Sequence, residues 1–227
     1  MTDALTALRL EGDAFARAID AATAQQLSRT SNCPPWTLAE LVVHTAGSIH
    51  IDAMPESDPG LDLHDAADYY RRPERDTPEY RDRNVRQTQA AAARILATTS
   101  VAECFTGALQ RATDTAASIG MDRVVQIRAV GPMLFGEWLR TRVISVAAHA
   151  LDVAITMRRS AWTTAAAQQL IRPVLLDLLG DTPPSELGWN DQRFLATATG
   201  RSELTEAEQR SLGRLAESSP CCPDCGL

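Results

Sequence analysis

The sequence contains no lysine, and all 22 of its basic residues are arginine. With alanine abundant as well, that bias is what a GC-rich coding sequence produces. It points to a high-GC source such as an actinobacterium and is silent about mechanism. Positive charge is also in deficit: 29 acidic residues leave a formal net charge of -7 and a pI near 5.1. Aromatic residues make up 5% of the chain, and no arginine stripe is interleaved with them. These shortages argue against nucleic acid or an anionic membrane as the main partner, since both require a basic face. A small molecule or a protein is the expected partner. Long apolar runs are missing too, none approaching the roughly 20 residues of a membrane span. The start, MTDALTALRLEGD, lacks the basic and then apolar order of a signal peptide, so a cytoplasmic protein is expected. The chain of 227 residues is 44% hydrophobic, which suffices for a sizeable core in one or two domains.

Five cysteines are present: Cys33, Cys104, and Cys221, Cys222 and Cys225 in the closing CCPDCGL. In a reducing cytoplasm such a cluster suggests metal or thiol chemistry more than a structural disulfide. The tail reads as half of a zinc ribbon, as a dithiol redox pair, or as a flexible end with incidental thiols.

Periodicity organises the rest as helices. Residues 3–28 carry Leu8, Phe15, Ile19 and Ala22 at helical spacing, predicting one long amphipathic helix. A second helix has an unusually specific start. Thr37 and Glu40 fit a capping box, Trp36 and Leu41 fit a hydrophobic staple, and Pro34-Pro35 separates it from the first. Residues 54–80 turn polar and read as a long surface loop with one short helical turn, of the kind that serves as a lid or binding loop. Helices are predicted over 82–98 and 101–118, the latter opened by Ser100 and Glu103. The alternating segment 123–130 reads as an isolated edge strand or extended connector. A strong helix follows over 135–157, then another over 164–180 that Pro173 should kink or split. Asn190 and Thr205 cap two final helices, the first ended by Gly200. No fixed-period repeat is evident. The expected fold is all-α: a helical bundle around one core over 1–158, a small helical extension packed on it over 159–218, and a Cys-rich tail over 219–227.

Two histidines lie in apolar helix interiors, His44 in WTLAELVVHTAG and His149 in SVAAHALDVA. A buried imidazole must be satisfied by something. Each is either a core histidine bonded to a carbonyl or carboxylate, or the two face one another and share a divalent metal. His50 lies about 240° around the helix from His44, and His64 falls in the polar loop. Both fit such a site less well.

The segments CPPWTLAELVVHTAG and WLRTRVISVAAHALDVA, in that order, resemble the mycothiol-dependent maleylpyruvate isomerase N-terminal family of the DinB-like superfamily. The closing LGWNDQRFLATATGRSELTEAE resembles the end of those proteins, while the loop 54–80 and the tail after Ser218 fall outside the likeness. The resemblance implies a four-helix bundle in which a His on the second helix and an E-x-x-x-H pair on a late helix bind a metal, usually zinc, that activates the thiol cofactor mycothiol. Members isomerise electrophilic small molecules or transfer thiols onto them. His44 matches the first ligand and His149 the last. Ser145 stands where the family pattern has Glu.

A neutral hydroxyl is a poor zinc ligand, so the metal should be held more loosely while the cation, less neutralised, favours thiolate more strongly. The missing ligand is expected either to be absent or to come from Cys221, Cys222 or Cys225. Arg142 is the candidate for gripping a carboxylate of the substrate or thiol; the alternative is an ion pair with Glu137 or Asp152. Asp152 either orients the His149 imidazole or pairs with an arginine. The reaction expected is a metal- and mycothiol-dependent S-transfer or isomerisation. The competing expectation is a non-catalytic bundle that lost its metal with the glutamate, binds a small molecule or protein, and uses the Cys tail as a redox or zinc sensor.

Overall fold

The computed structural model describes residues 3–51, 54–58, 60 and 62–216. Four long helices enclose the core: α1 (Ala4–Asp20), α3 (Leu38–Ser48), α6 (Val101–Ile119) and α7 (Phe135–Met157). Between α1 and α3 lies the short α2 (Ala24–Leu27). α1 packs on α6 and α7, and α3 packs on the same two, which closes a four-helix bundle. Every residue from Thr141 to Ala154 of α7 is buried, so this helix forms the centre of the molecule. Its alanines at 147, 148, 150 and 154 let neighbouring helices approach from all sides. On the opposite wall, Phe15 of α1 meets Phe105 of α6 with ring centroids 4.4 Å apart. The same pair of helices approaches so closely at Gly12 that a Cβ there would lie 2.5 Å from a Leu109 methyl.

Local signals set the helix ends. Thr37 and Glu40 cap α3 reciprocally, the Thr37 amide donating to Glu40 Oε2 at 2.7 Å and the Glu40 amide to Thr37 Oγ1 at 3.2 Å. Trp36 and Leu41 are both fully buried beneath that cap, as a staple requires. Ser100 and Glu103 open α6 in the same way. The predicted helix over 3–28 is instead two, because Thr23 accepts from the Gln26 amide and starts α2 afresh after α1 has closed at Ala21. Pro173 neither splits nor ends α8 (Ala165–Leu179). Its ring faces solvent, where the missing N–H is cheap to forgo. α8 packs on α1 and α7, and α9 (Asp191–Ala198) packs on α8. α10 (Glu206–Leu212) opens on a Thr205–Glu208 capping box.

The segment 123–130 is not isolated. β1 (Val124–Ile127) pairs antiparallel with β2 (Gly131–Leu134), Val124 opposite Leu134 and Ile127 opposite Gly131. Gly131 and Pro132 disguised the second strand. The hairpin pins the preceding loop: Gln126 donates to the Pro55 carbonyl at 2.9 Å on one edge, and the His64 amide to the Pro132 carbonyl at 2.9 Å on the other. The loop region 54–80 is therefore more structured than its polarity predicts. It carries α4 (Ala66–Tyr70), a 3-10 turn over Pro73–Asp76, and the start of α5 (Pro78–Ile95). α4 lies on α7, with the Tyr70 hydroxyl donating to the Thr141 carbonyl at 2.9 Å. α5 packs along α3. Among the described residues, no helix is long and apolar enough to cross a membrane.

Candidate functional site

His44 on α3 and His149 on α7 are brought together, ring centroids 5.2 Å apart and edge to face. Trp36 stacks on His44 at 4.4 Å, and Thr88 Oγ1 of α5 lies 3.3 Å from His44 Nδ1. His149 is fully buried, with Nδ1 3.0 Å from Asp152 Oδ2. Burial alone would push the Asp152 carboxyl up, but the Arg201 guanidinium and the His149 ring hold it well below the usual carboxylate range. An ionised carboxylate can only accept, so His149 Nδ1 carries a proton, and the neutral ring then has its lone pair on Nε2. That is the tautomer a metal-ligating histidine needs.

Asp152 is itself closely held. Arg201 reaches it from the loop after α9, its Nη2 2.9 Å from Oδ2 and its Nε 3.2 Å from Oδ1. Asn32 Nδ2 donates to Oδ1 at 2.9 Å. Asp152 therefore touches both the His149 ring and an arginine. The arginine is Arg201, however, not Arg142. Cys33, His149 and Asp152 form a buried group whose ligand atoms lie within 4.8 Å of one another, a donor set of the kind that holds metal ions. Two features weigh against a cation inside that group: Cys33 is disulfide-bonded, and a guanidinium already occupies the carboxylate.

On the other side of the histidines a cavity of about 310 Å³ opens between α3, α5, α7 and the 3-10 turn. His44, Ser145 and Arg142 line it. Ser145 is buried and its hydroxyl donates to Ser48 Oγ at 3.0 Å. Arg142 is buried as well, its Nη1 donating to the Ser48 carbonyl at 2.7 Å and its Nε to Thr141 Oγ1 at 2.9 Å. Neither carboxylate that the sequence offered it is its partner, since Glu137 pairs with Arg140. Arg75, invisible inside the polar run RRPERDTPEY, is also buried and lines the same cavity. Among the described residues no carboxylate pairs with Arg75 or Arg142, and both guanidiniums lie beside the Tyr69 ring at the wall of this space. A wider cavity of about 690 Å³ adjoins it, sharing Tyr69, Tyr80 and Gln87 and taking in His50. His64 is held apart, on Asp68 at 3.2 Å. Cys221, Cys222 and Cys225 lie outside the described residues.

The donor set fits a divalent cation in part. Two imidazoles are presented, one in a locked tautomer, but the position four residues before His149 offers a hydroxyl bonded to Ser48 where a carboxylate ligand would complete three protein ligands. The residues that sequence reading missed, Arg75, Tyr69 and Arg201, come from the loop region and from beyond α9. No periodicity or spacing ties them to the histidines.

No curated protein matches the chain. Among solved structures, the crystal structure of the mycothiol-dependent maleylpyruvate isomerase superposes with a TM-score of 0.55 over 88% of each chain, at 13% identity. The likeness is one of fold. The model of the mycothiol maleylpyruvate isomerase N-terminal domain matches residues 8–154, a span that holds both histidines, Ser145, Asp152 and the loop region that walls the cavity. The chain belongs to the mycothiol maleylpyruvate isomerase N-terminal domain family.

Proposed function

We propose that this chain catalyses a thiol-dependent isomerisation or S-transfer on an anionic electrophilic small molecule, with mycothiol as the thiol and a divalent cation, zinc among the candidates, held by His44 and His149. The observation that carries this reading is that His44, with His149 packed against it, sits at the edge of a cavity whose other walls bear two buried arginines and, among the described residues, no carboxylate. Buried cations with no carboxylate beside them among the described residues favour an anion that enters the cavity. A bidentate grip by Arg142 on a substrate carboxylate would fix the electrophile. Arg75 supplies a second cation on the same cavity.

When bound, the cation would lower the pKa of the thiol and hold its thiolate. The protein's part is orientation and exclusion of water. Asp152 fixes the ring of His149, Trp36 fixes that of His44, and α5 with the 3-10 turn covers the cavity. Ser145 supports a second reading, a bundle that binds an anionic ligand or protein without chemistry, because the anionic ligand of the family pattern is gone.

Metal content of the purified protein, followed by thiol consumption with mycothiol and a carboxylate-bearing electrophile, separates the two. The enzyme reading expects bound metal and turnover, both lost in His44→Ala and His149→Ala. Ligand binding that persists in those variants, without metal or turnover in the parent, would establish the second reading.

A further inference from the structure

Tyr69 and Tyr70 are neighbours in the chain with opposite surroundings. Tyr70 spends its hydroxyl on the Thr141 carbonyl, and burial pushes that phenol well above its ordinary value. Tyr69 stands in the wall shared by the two cavities. The guanidinium carbons of Arg72, Arg142 and Arg75 lie 4.2, 4.8 and 5.2 Å from its ring centroid.

The groups that face Tyr69 come from several elements. α7 contributes Arg142, the 3-10 turn and its flank contribute Arg72, Glu74 and Arg75, α5 contributes Tyr80 and Arg83, and α4 itself contributes Tyr70. His44 and His50 line the respective cavities. Glu74 is the one carboxylate lining either cavity among the described residues, and it sits 3.6 Å from Arg72. Positive charge therefore exceeds negative around a phenol, and a phenol can lose its proton. Burial raises its pKa, yet the arginines win and bring it down to about 7.

We infer that Tyr69 is the proton-transfer residue of the cavity, its phenolate oxygen accepting the proton of the thiol that enters beside Arg142 and Arg75. The inference rests on the thiol reading above. In the step, the S–H bond breaks and its electron pair stays on sulfur, while an O–H bond forms on Tyr69. Sulfur then bonds to the electrophilic carbon, whose π pair moves toward the conjugated carbonyl oxygen. In an isomerisation the C–S bond later breaks, sulfur recovers the proton, and the phenolate is restored. In a transfer, Tyr69 delivers that proton to the carbanionic carbon instead. Nothing else is consumed, and an acid–base group near neutrality suits both directions.

The test begins without any substrate. Tyrosinate absorbance of the purified full chain is followed against pH. One of its three tyrosines should ionise near neutrality, well below the ordinary value of about 10, and this step should vanish in Tyr69→Phe. Arg75→Met, which keeps the phenol and removes one cation, should move the step to higher pH; it serves as the independent variant if Tyr69→Phe does not fold. With mycothiol and a carboxylate electrophile, Tyr69→Phe should lose about a hundredfold in kcat with KM little changed. The inference is overturned if no tyrosine ionises below about pH 9, if the step survives in Tyr69→Phe, or if kcat in that variant is intact. A low-pH step in a protein that consumes no thiol would instead overturn the thiol reading, removing the donor of the proton while leaving the ionised phenol in view.

Discussion

Arg142 belongs to α7 and Arg201 reaches that helix from beyond α9; both side chains are buried, but they have opposite roles. Arg201 closes a charge-balanced cluster: its guanidinium meets Asp152, which meets His149 and Asn32, so each charged group has an opposite number. Arg142 and Arg75, on the cavity side, have a carbonyl, a hydroxyl and aromatic faces for partners and, among the described residues, no carboxylate. Balance is what a structural ion pair looks like after folding. Surplus charge of one sign, buried beside an open volume, is what remains when the balancing ion arrives from outside. The difference separates the part of the site that holds a ring in place from the part that meets a ligand.

The sharpest way to break this contrast is to remove each arginine in turn. Arg201→Met strands the buried Asp152 carboxylate, a loss of about 3–5 kcal/mol. Arg142→Met strands only hydrogen-bond acceptors and removes an unpaired charge, so its cost should be about 1 kcal/mol or less. Urea denaturation of both proteins reads this directly, and equal losses would show that the two arginines are alike.

Activity should invert the order. With the thiol and a carboxylate-bearing electrophile, Arg142→Met should lower kcat/KM about a hundredfold, the worth of a charge-assisted pair, while its thermal midpoint stays close to the parent. A variant that keeps full kcat/KM while losing several degrees of stability would place Arg142 in the fold and not in the ligand site.

A smaller effect sharpens the metal side. Ser145→Glu puts an anion four residues before His149, on the wall of the same cavity. Competitive chelator titration should show about tenfold tighter binding of zinc. Unchanged zinc affinity combined with weaker anion binding would mean that the new carboxylate has paired with Arg142 instead.

Most of the bundle was legible in the chain because short-range rules govern it. The Thr37–Glu40 box, the Trp36–Leu41 staple and the apolar period of α7 each follow from residues within a few positions of one another. The pairing of His44 with His149 was readable too, since two costly imidazoles in two apolar helices need a common solution. The cavity walls were not. Arg72 and Arg75 sit in a segment so polar that it reads as solvated loop, and only its pairing with both edges of the β1–β2 hairpin draws it over α7. Arg201 meets Asp152 across 49 residues of sequence, a contact that no local pattern specifies. The long helix expected over 3–28 failed for the converse reason. Its apolar spacing continues past Ala21, but Thr23 supplies a new cap, and a cap outweighs periodicity over a single turn.

Glu11 tests whether an unpaired buried charge by itself marks a ligand site. It lies on α1, fully buried, with Oε2 accepting from the Thr164 amide at 2.8 Å and Oε1 without a partner among the described residues. It lines neither of the two cavities described above. Burial raises its carboxyl pKa, opposed by the Thr164 bonds. A carboxyl raised in the folded state favours the protonated form there. The native state is therefore penalised as pH climbs above the unfolded value of about 4.3, and the penalty is complete once pH passes the folded value. Glu11→Gln keeps an acceptor for the Thr164 amide and removes the ionisation, so it should stabilise the protein by about 1 kcal/mol near neutral pH. The gain should shrink as pH falls and vanish below the unfolded value, with no change in anion binding or thiol turnover at any pH. A gain that persists in acid would assign the effect to packing. A change in ligand binding would show that charge surplus is felt across the bundle, and the contrast between Arg142 and Arg201 would then have to be drawn from the cavity alone.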